Sequence, residues 1–591
     1  MQFRRCVLNG LWICLLWLTG NAAGEALPYR VRIEGPIDRG LRRELESVSV
    51  MLALRDRPPL TEVQLRRRAR RDPPRFQDVL RSRGFYAAEI ETLYELDRRR
   101  PRVRFRVDPG EAYLLRHVRI VDADHGAILS RPGRDDLGLP PDTPAEADRI
   151  LDAEERLRMR LRADGRPFPE IVSREVVVVH AAQSVDVTFR VRPGERMSFG
   201  EVILEGLERT DPSFVERKIP WKRGEPYDGD LVRTFRRRLM DSDLFSVLRI
   251  LTLEEPDAEG LLPVRIELAE RKPRSVTLAG GYRNDQGWWS LAGWEHRNVL
   301  RRGERLSLEY GLSEEGFGGE IVFRRPDVRR VDQSLTLRAT QEVEDTRAYE
   351  SERFGLLAVF DRPLPRGWHG DAGLGYQFSS VTDVRRRRDF SLLYVPVGLS
   401  RDGSDDPLDP RRGYRISLGA APYVDVPDGD LLFVKSRVSG TLYRRLLRSP
   451  EIDWAGRAGF GVMLGEARNA IPADERFFTG GGGSLRGYPY QTVGPLEDGV
   501  PTGGRSMMLF SQELRTRLGE SFGIAAFLDG GAVMEEAWFD DSVDAFRWGT
   551  GIGFRYFTPV GPLRLDVAVP LNRRREIDSP WQFYVSLGQA F

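Results

Sequence analysis

The sequence predicts small α+β modules followed by a membrane all-β barrel of about 16 antiparallel strands. Three observations carry that prediction. A strand-and-turn pattern recurs in the N-terminal half, Phe105-Arg106-Val107-Asp108-Pro109-Gly110-Glu111 returning as Phe189-Arg190-Val191-Arg192-Pro193-Gly194-Glu195. From Arg274 onward the chain breaks into short alternating segments split by Gly, Pro and Asp, ending on Phe591. Between two such segments lies a glycine-rich loop with a single arginine, Thr479 to Tyr488.

The chain begins as an export signal, expected over 1–24. Arg4 and Arg5 form a charged start, Val7 to Leu18 a short apolar core, and Gly20 to Gly24 a stretch of small residues suited to cleavage. The apolar core is too short for a comfortable spanning helix. Both cysteines, Cys6 and Cys14, lie inside the signal segment, so the mature chain is expected to hold no disulfide or thiol metal site. Charged residues make up 30% and mean hydropathy is −0.41. A barrel with a polar lumen has that profile as readily as a soluble protein. The net charge is +2, and lysine occurs only at 218, 222, 272 and 435. No basic stripe interleaved with aromatics points to nucleic acid.

Three modules are expected, at 28–109, 110–194 and 195–271. Each ends on an alternating strand, the third on Ile266-Glu267-Leu268-Ala269-Glu270, and a Pro-Gly turn closes the first two. A helix precedes the strands in each. In the second module Asp142 or Thr143 is the expected cap, Pro144 lies in the first turn, and Ile150, Leu151, Leu157 and Leu161 form the apolar stripe. In the third, Leu231, Phe235, Leu239 and Leu244 play that part. The order strand, helix, helix, strand, strand follows.

The barrel is expected over 274–591. Leu306, Leu308 and Tyr310 share one face of their segment, and Trp288, Trp289, Trp294 and Tyr310 are candidates for an interfacial girdle. An even strand number lets the sheet close, because an open edge in lipid leaves unpaired backbone groups at several kcal/mol each. The glycine loop, about 467–504, falls between the eleventh and twelfth strands; a loop of that length is usually functional or disordered. Arg486 in a confined lumen needs partners. Alternation places Glu513 on one face with Ser511, Arg515 and Arg517, opposite Met508, Phe510, Leu514 and Leu518. It places Asp529 with Gly523, Ala525 and Gly531, opposite Ile524 and Leu528. Both carboxylates are therefore expected in the lumen, since a charge on the lipid face costs about 2–4 kcal/mol at mid-membrane.

These features resemble known families. The α+β units resemble POTRA domains, which implies periplasmic modules that receive unfolded clients by strand pairing at a sheet edge; a rigid spacer is the simpler reading. Leu485-Arg486-Gly487-Tyr488 resembles the Val-Arg-Gly-Phe/Tyr loop motif of the BamA/TamA superfamily, and Phe527-Leu528-Asp529-Gly530-Gly531 its partner strand. Gly551 to Arg555, Thr558 to Pro562 and Arg564-Leu565-Asp566 are similar to the strands that follow, and Pro407 to Gly413 to a family turn. Leu485 for valine and Asp406 for asparagine depart from the pattern. The resemblance implies a loop-lock motif of Gly483, Leu485, Arg486, Gly487 and Tyr488, with Arg486 packing on Asp529 and Glu513 in the lumen. Three modules before the barrel are similar to the TamA branch. That branch implies outer-membrane localisation, help in inserting or secreting autotransporters and other barrel proteins, and a TamB-like inner-membrane-anchored periplasmic partner. The alternative is a two-partner secretion transporter exporting a dedicated soluble partner, although the plug helix that it implies is not seen.

The last strand alternates Phe583, Val585, Leu587 and Phe591 against Tyr584, Ser586, Gly588 and Ala590. Gly588 has no side chain to pack. A lateral seam is therefore expected between this strand and the first, at Ser275, Leu278, Gly588 and Phe591, where the barrel would open toward a client. No enzyme chemistry is expected. Arg486 stands where a nucleophile elbow needs its last glycine, no phosphate loop occurs, and the five histidines lack zinc spacing. No cofactor or metal is expected; Asp402, Asp405, Asp406 and Asp409 suit a solvated acidic turn better than calcium.

Overall fold

The computed structural model describes residues 27–96, 100–129, 132–283, 286–384, 386–426, 429–448, 450–519, 521–538, 545–558 and 561–587. The expected signal segment 1–24 and two of the seam residues, Gly588 and Phe591, lie outside them.

Three small α/β modules come first. The first holds β1 (Arg30–Glu34), α1 (Arg39–Val48), α2 (Val50–Ala53), α3 (Glu62–Ala69), α4 (Asp72–Ser82), β2 (Glu89–Glu95) and β3 (Arg102–Asp108). The second holds β4 (Leu114–Asp122), α5 (Ala147–Ala163), β5 (Glu170–Val179) and β6 (Ser184–Arg192). The third holds β7 (Phe199–Glu205), α6 (Pro212–Glu216), α7 (Gly229–Met240), β8 (Phe245–Thr252) and β9 (Leu262–Glu270). Each has a three-stranded sheet with the last strand at its centre, in the orders β1-β3-β2, β4-β6-β5 and β7-β9-β8. The sequence repeat is that central strand. Val103, Phe105 and Val107 on β3, like Val187, Phe189 and Val191 on β6, face the module core with no exposed surface. In each of these two modules the first strand pairs with the central one in parallel.

Three expectations in the second module fail. Among the described residues it holds one α-helix between its first two strands, where two were expected. α5 begins at Ala147 with Glu146 as an unbonded cap, not at Asp142–Pro144. Asp142 takes φ 56°, and Pro144 forms a bridge with Leu114, so the segment before the helix is committed to the sheet edge. Leu151 is half exposed, and Ala153 completes the buried stripe with Ile150, Leu157 and Leu161. The chain forms two compact units. One contains the first two modules with Trp221–Arg233 and Thr252–Val264; the other contains Val202–Pro220, Thr234–Leu251 and the barrel.

The barrel comprises β10 (Arg274–Arg283), β11 (Gly287–His296), β12 (Arg305–Ser313), β13 (Gly316–Arg325), β14 (Ser334–Asp345), β15 (Glu350–Leu364), β16 (Trp368–Thr382), β17 (Arg387–Tyr394), β18 (Val397–Asp402), β19 (Gly413–Asp425), β20 (Leu432–Arg448) and β21 (Glu451–Gly465). After a loop carrying the short hairpin β22 (Leu496–Glu497) and β23 (Val500–Pro501) come β24 (Ser506–Leu518), β25 (Phe522–Met534), β26 (Arg547–Thr558), β27 (Gly561–Pro570) and β28 (Gln582–Leu587). The sheet closes on itself in sequence order. Among the described residues it has 17 strand segments. β17 and β18 are two halves of one crossing, for both pair with β16 and both with β19. Pro396 sits at the break, where it has no N–H to give the ladder. The even number of crossings that antiparallel closure demands is thereby kept.

Outward positions on β12 are apolar, with Leu308, Tyr310 and Leu312 exposed. Trp294 pairs with Leu308 and shares its parity with Trp288; Trp289 takes the opposite face, so it does not belong to an outer girdle. Among the described residues, no helix is long and apolar enough to cross a membrane.

Candidate functional site

The loop between β21 and β24 folds into the barrel, and the strands it meets explain why. Gly480 and Gly481 take φ 114° and 89°, Gly487 φ 99°, a left-handed region that glycine enters without a side-chain penalty. The tip closes with Gly481 N donating to Tyr488 O at 2.9 Å. A neighbouring glycine receives it: a Cβ on Gly549 of β26 would stand 2.0 Å from the Arg486 carbonyl oxygen.

The structure brings Arg486, Glu513 and Asp529 together in a buried cluster. Arg486 is 2% exposed, Glu513 0% and Asp529 1%. The guanidinium grips Asp529 with two bonds, Nε to Oδ2 at 2.7 Å and Nη2 to Oδ1 at 2.9 Å, and its backbone N donates to the same carboxylate at 3.2 Å. Nη1 reaches Glu513 Oε2 at 3.2 Å. The guanidinium also lies over the Phe527 ring, 3.4 Å from its centroid, adding a cation–π contact. Ser511 and Asp529 are register partners on β24 and β25, and the serine hydroxyl donates to Asp529.

Sequence reasoning missed half of this cluster. Arg486 Nη1 also bonds Asp566 Oδ2 on β27 at 3.0 Å. Arg555 on β26 ties Asp566 to Glu513, its Nη2 standing 3.1 Å from Glu513 Oε1. Arg515 donates to Glu513 at 3.1 Å, and Arg564 lies 3.3 Å from Asp566. Four adjacent strands thus share one charge network. The signal was present in the alternation of β26 and β27, where Arg555, Arg564 and Asp566 fall on the inward parity. Reading the glycine loop against two strands only left it unused.

Gly483 stands in open space and Leu485 is fully buried. Tyr488 is buried and donates its hydroxyl to Asn572 Oδ1 at 2.7 Å, with Trp548 O 3.1 Å away. Gly487 N donates to Tyr584 Oη on β28 at 3.1 Å. The loop tip therefore touches the closing strand as well as the wall.

The first half of the loop has its own anchor, which no motif signalled. Ile471 and Phe477 are buried with Leu392, Tyr423 and Phe433 of the inner wall. Glu475 accepts from Lys435 Nζ at 2.8 Å and Gln377 Nε2 at 3.0 Å; Asp474 pairs with Arg353 at 3.2 Å. Arg476 donates to Asp383 Oδ2 at 3.1 Å and to Thr502 O at 3.0 Å.

At the seam, β10 pairs with β11 along its length, from Arg274↔His296 to Arg283↔Gly287. With β28 the register among the described residues is Arg283↔Tyr584. Tyr282 stacks beside Phe583, ring centroids 6.3 Å apart. Ser275 lies at the other end of β10, opposite Glu295, where its hydroxyl accepts from Arg297; Leu278 faces outward and is 79% exposed. The acidic turn after β18 is occupied by the chain itself. Asp402 accepts from Ser404 and Arg415, Asp405 from the N–H groups of Arg411 and Arg412, and Asp406 from those of Leu408 and Asp409.

Comparison with known proteins gives the same architecture a family. The chain is similar to the outer membrane protein assembly factor BamA of Neisseria meningitidis serogroup B, 21% identical over 495 residues, which cover 74% of this chain and 62% of that protein. It is similar to BamA of Nitratidesulfovibrio vulgaris, 24% identical over 463 residues, covering 75% and 57%. The chain thus spans about three-fifths of these relatives' own length. The crystal structure of Haemophilus ducreyi BamA lacking POTRA domains 1–3 superposes with a TM-score of 0.61 at 18% identity, over 80% of this chain and 99% of that one. The fold is accordingly that of an outer-membrane barrel with POTRA-like periplasmic modules. Residues 298–591 match the Omp85 superfamily domain, and the chain is a member of that superfamily.

Proposed function

We propose that this chain assists the insertion or secretion of autotransporters and other β-barrel proteins, offering the seam between β10 and β28 for strand pairing with an incoming client. No ATP is consumed on this reading. The driving force is the client's own, as its apolar face enters lipid and its backbone groups find partners. The sheet edges of the modules hold clients by β-augmentation, and a TamB-like inner-membrane-anchored protein is the periplasmic partner.

The observation that carries this reading is the contrast between the two sides of β10. One side is hydrogen-bonded along the strand, whereas among the described residues the other meets β28 at Arg283 and Tyr584. The buried Arg486 cluster supports it, because a wall held across β24 to β27 lets the joint beside it part without loss of the barrel. A disulfide across the seam, from Tyr282→Cys with Val585→Cys, tests the proposal. Oxidised protein is expected to stay folded and lose client assembly, with recovery on reduction. Undiminished assembly by the oxidised form contradicts seam opening. Continued export of a soluble partner by that form would instead favour a secretion transporter that works through its lumen.

A further inference from the structure

A cavity of about 410 Å³ opens at the foot of β10, lined by the cations Arg209, Arg271, Lys272, Arg297 and Arg301 and by the carboxylates Glu208 and Glu270. Its frame is built by hydrogen bonds. Arg301 Nε donates to Arg209 O at 2.8 Å, Asp211 N to Arg301 O at 2.7 Å, and Asn298 Nδ2 to Thr210 Oγ1 at 3.0 Å. The carboxylates nearby are mostly spent. Glu270 accepts the N–H groups of Glu208, Arg209 and Thr210, while Asp243 takes Arg271 and Arg297 at 3.1 Å each. Lys272 and Arg301 have no carboxylate partner among the described residues.

The position of the cavity says what fills it. Pro273 lines it, and β10 starts at the next residue, with Val276 and Leu278 71% and 79% exposed on the outward face. Val299 is in the lining, and Leu300 beside it is also exposed. A cationic recess bordered by a bare aliphatic wall at the membrane boundary matches a lipid, with phosphate in the recess and acyl chains along the strand. A soluble anion has no use for the wall. We propose that this cavity binds the phosphate head group of an anionic bilayer lipid, beside the strand that forms the seam. The site depends on the barrel lying in a membrane and not on seam opening, so it stands or falls separately from the proposed function.

The test is native mass spectrometry of the full chain in detergent, titrated with phosphatidylglycerol and with phosphatidylcholine. The wild type is expected to retain phosphatidylglycerol preferentially. Lys272→Gln with Arg301→Gln should lower that retention about tenfold and leave phosphatidylcholine unchanged. Arg329→Gln with Arg330→Gln, exposed cations in the turn after β13, should leave both lipids unchanged. Equal loss in the two double variants would reduce the effect to general surface charge and overturn the site. Displacement of the lipid by millimolar inorganic phosphate would make it a free-anion site and overturn the lipid assignment. The heat-dependent gel shift of a folded barrel verifies that each variant is intact.

Discussion

At the scale of single residues, Arg486 is held by geometry as much as by charge. Two parallel bonds to Asp529, a bond each to Glu513 and Asp566, and the Phe527 ring together fix a planar fork in one orientation. Removing one partner of a buried ion pair costs about 3–5 kcal/mol, because the other charge stays desolvated. Arg486→Ala should therefore release the loop tip, seen as loss of amide exchange protection over residues 480–493 with the strands still protected. Arg486→Lys is expected to behave almost as badly, since a point charge cannot reproduce the fork. Unchanged protection in the alanine variant would show that apolar packing alone holds the tip. The Arg486–Asp529–Glu513 core was legible because alternation on two strands forced both carboxylates inward. Alternation also turns Asp566 and Arg555 inward, but nothing local in β26 or β27 says which lumen charges meet across three strands.

At the scale of elements, the loop depends on absences as well as on contacts. Gly549 makes room for the Arg486 carbonyl, so Gly549→Ala should weaken the lock with no charge altered. The expected outcome is the exchange pattern of Arg486→Ala; a silent substitution would mean that the loop can shift aside. The far end of the loop is tied by Glu475 to Lys435 and Gln377 on different strands. Glu475→Gln removes one charge of a buried pair and should raise the conductance of the barrel in planar bilayers while Arg486 stays bound. Conductance equal to wild type would deny this anchor a role in filling the lumen. That end of the loop has no sequence signal. Ile471 and Phe477 read as ordinary loop residues until the wall they cover is known. The strand interrupted at Pro396 and the helix that starts at Ala147 also depended on tertiary partners, the two flanking strands in one case and Leu114 in the other.

At the scale of the whole molecule, the barrel base and the part of the third module that belongs to the same compact unit are joined by buried charge. Lys218 lies 2.7 Å from Asp327 with both side chains almost fully covered, and Arg238 lies 3.1 Å from Asp332. The Phe214 ring sits where Gly303 has no side chain. Asp327→Ala should leave Lys218 buried without its partner and expose the residues around Phe214 to limited proteolysis, with the barrel intact; resistance equal to wild type would make the pair incidental. The account as a whole rests on a seam that meets clients. Its most direct measurement places a photocrosslinking amino acid at Leu278, outward on β10, and at Leu308, outward on β12. The account predicts adducts with an assembling client at Leu278 and few at Leu308. Equal labelling at both positions, or none at Leu278, would contradict it.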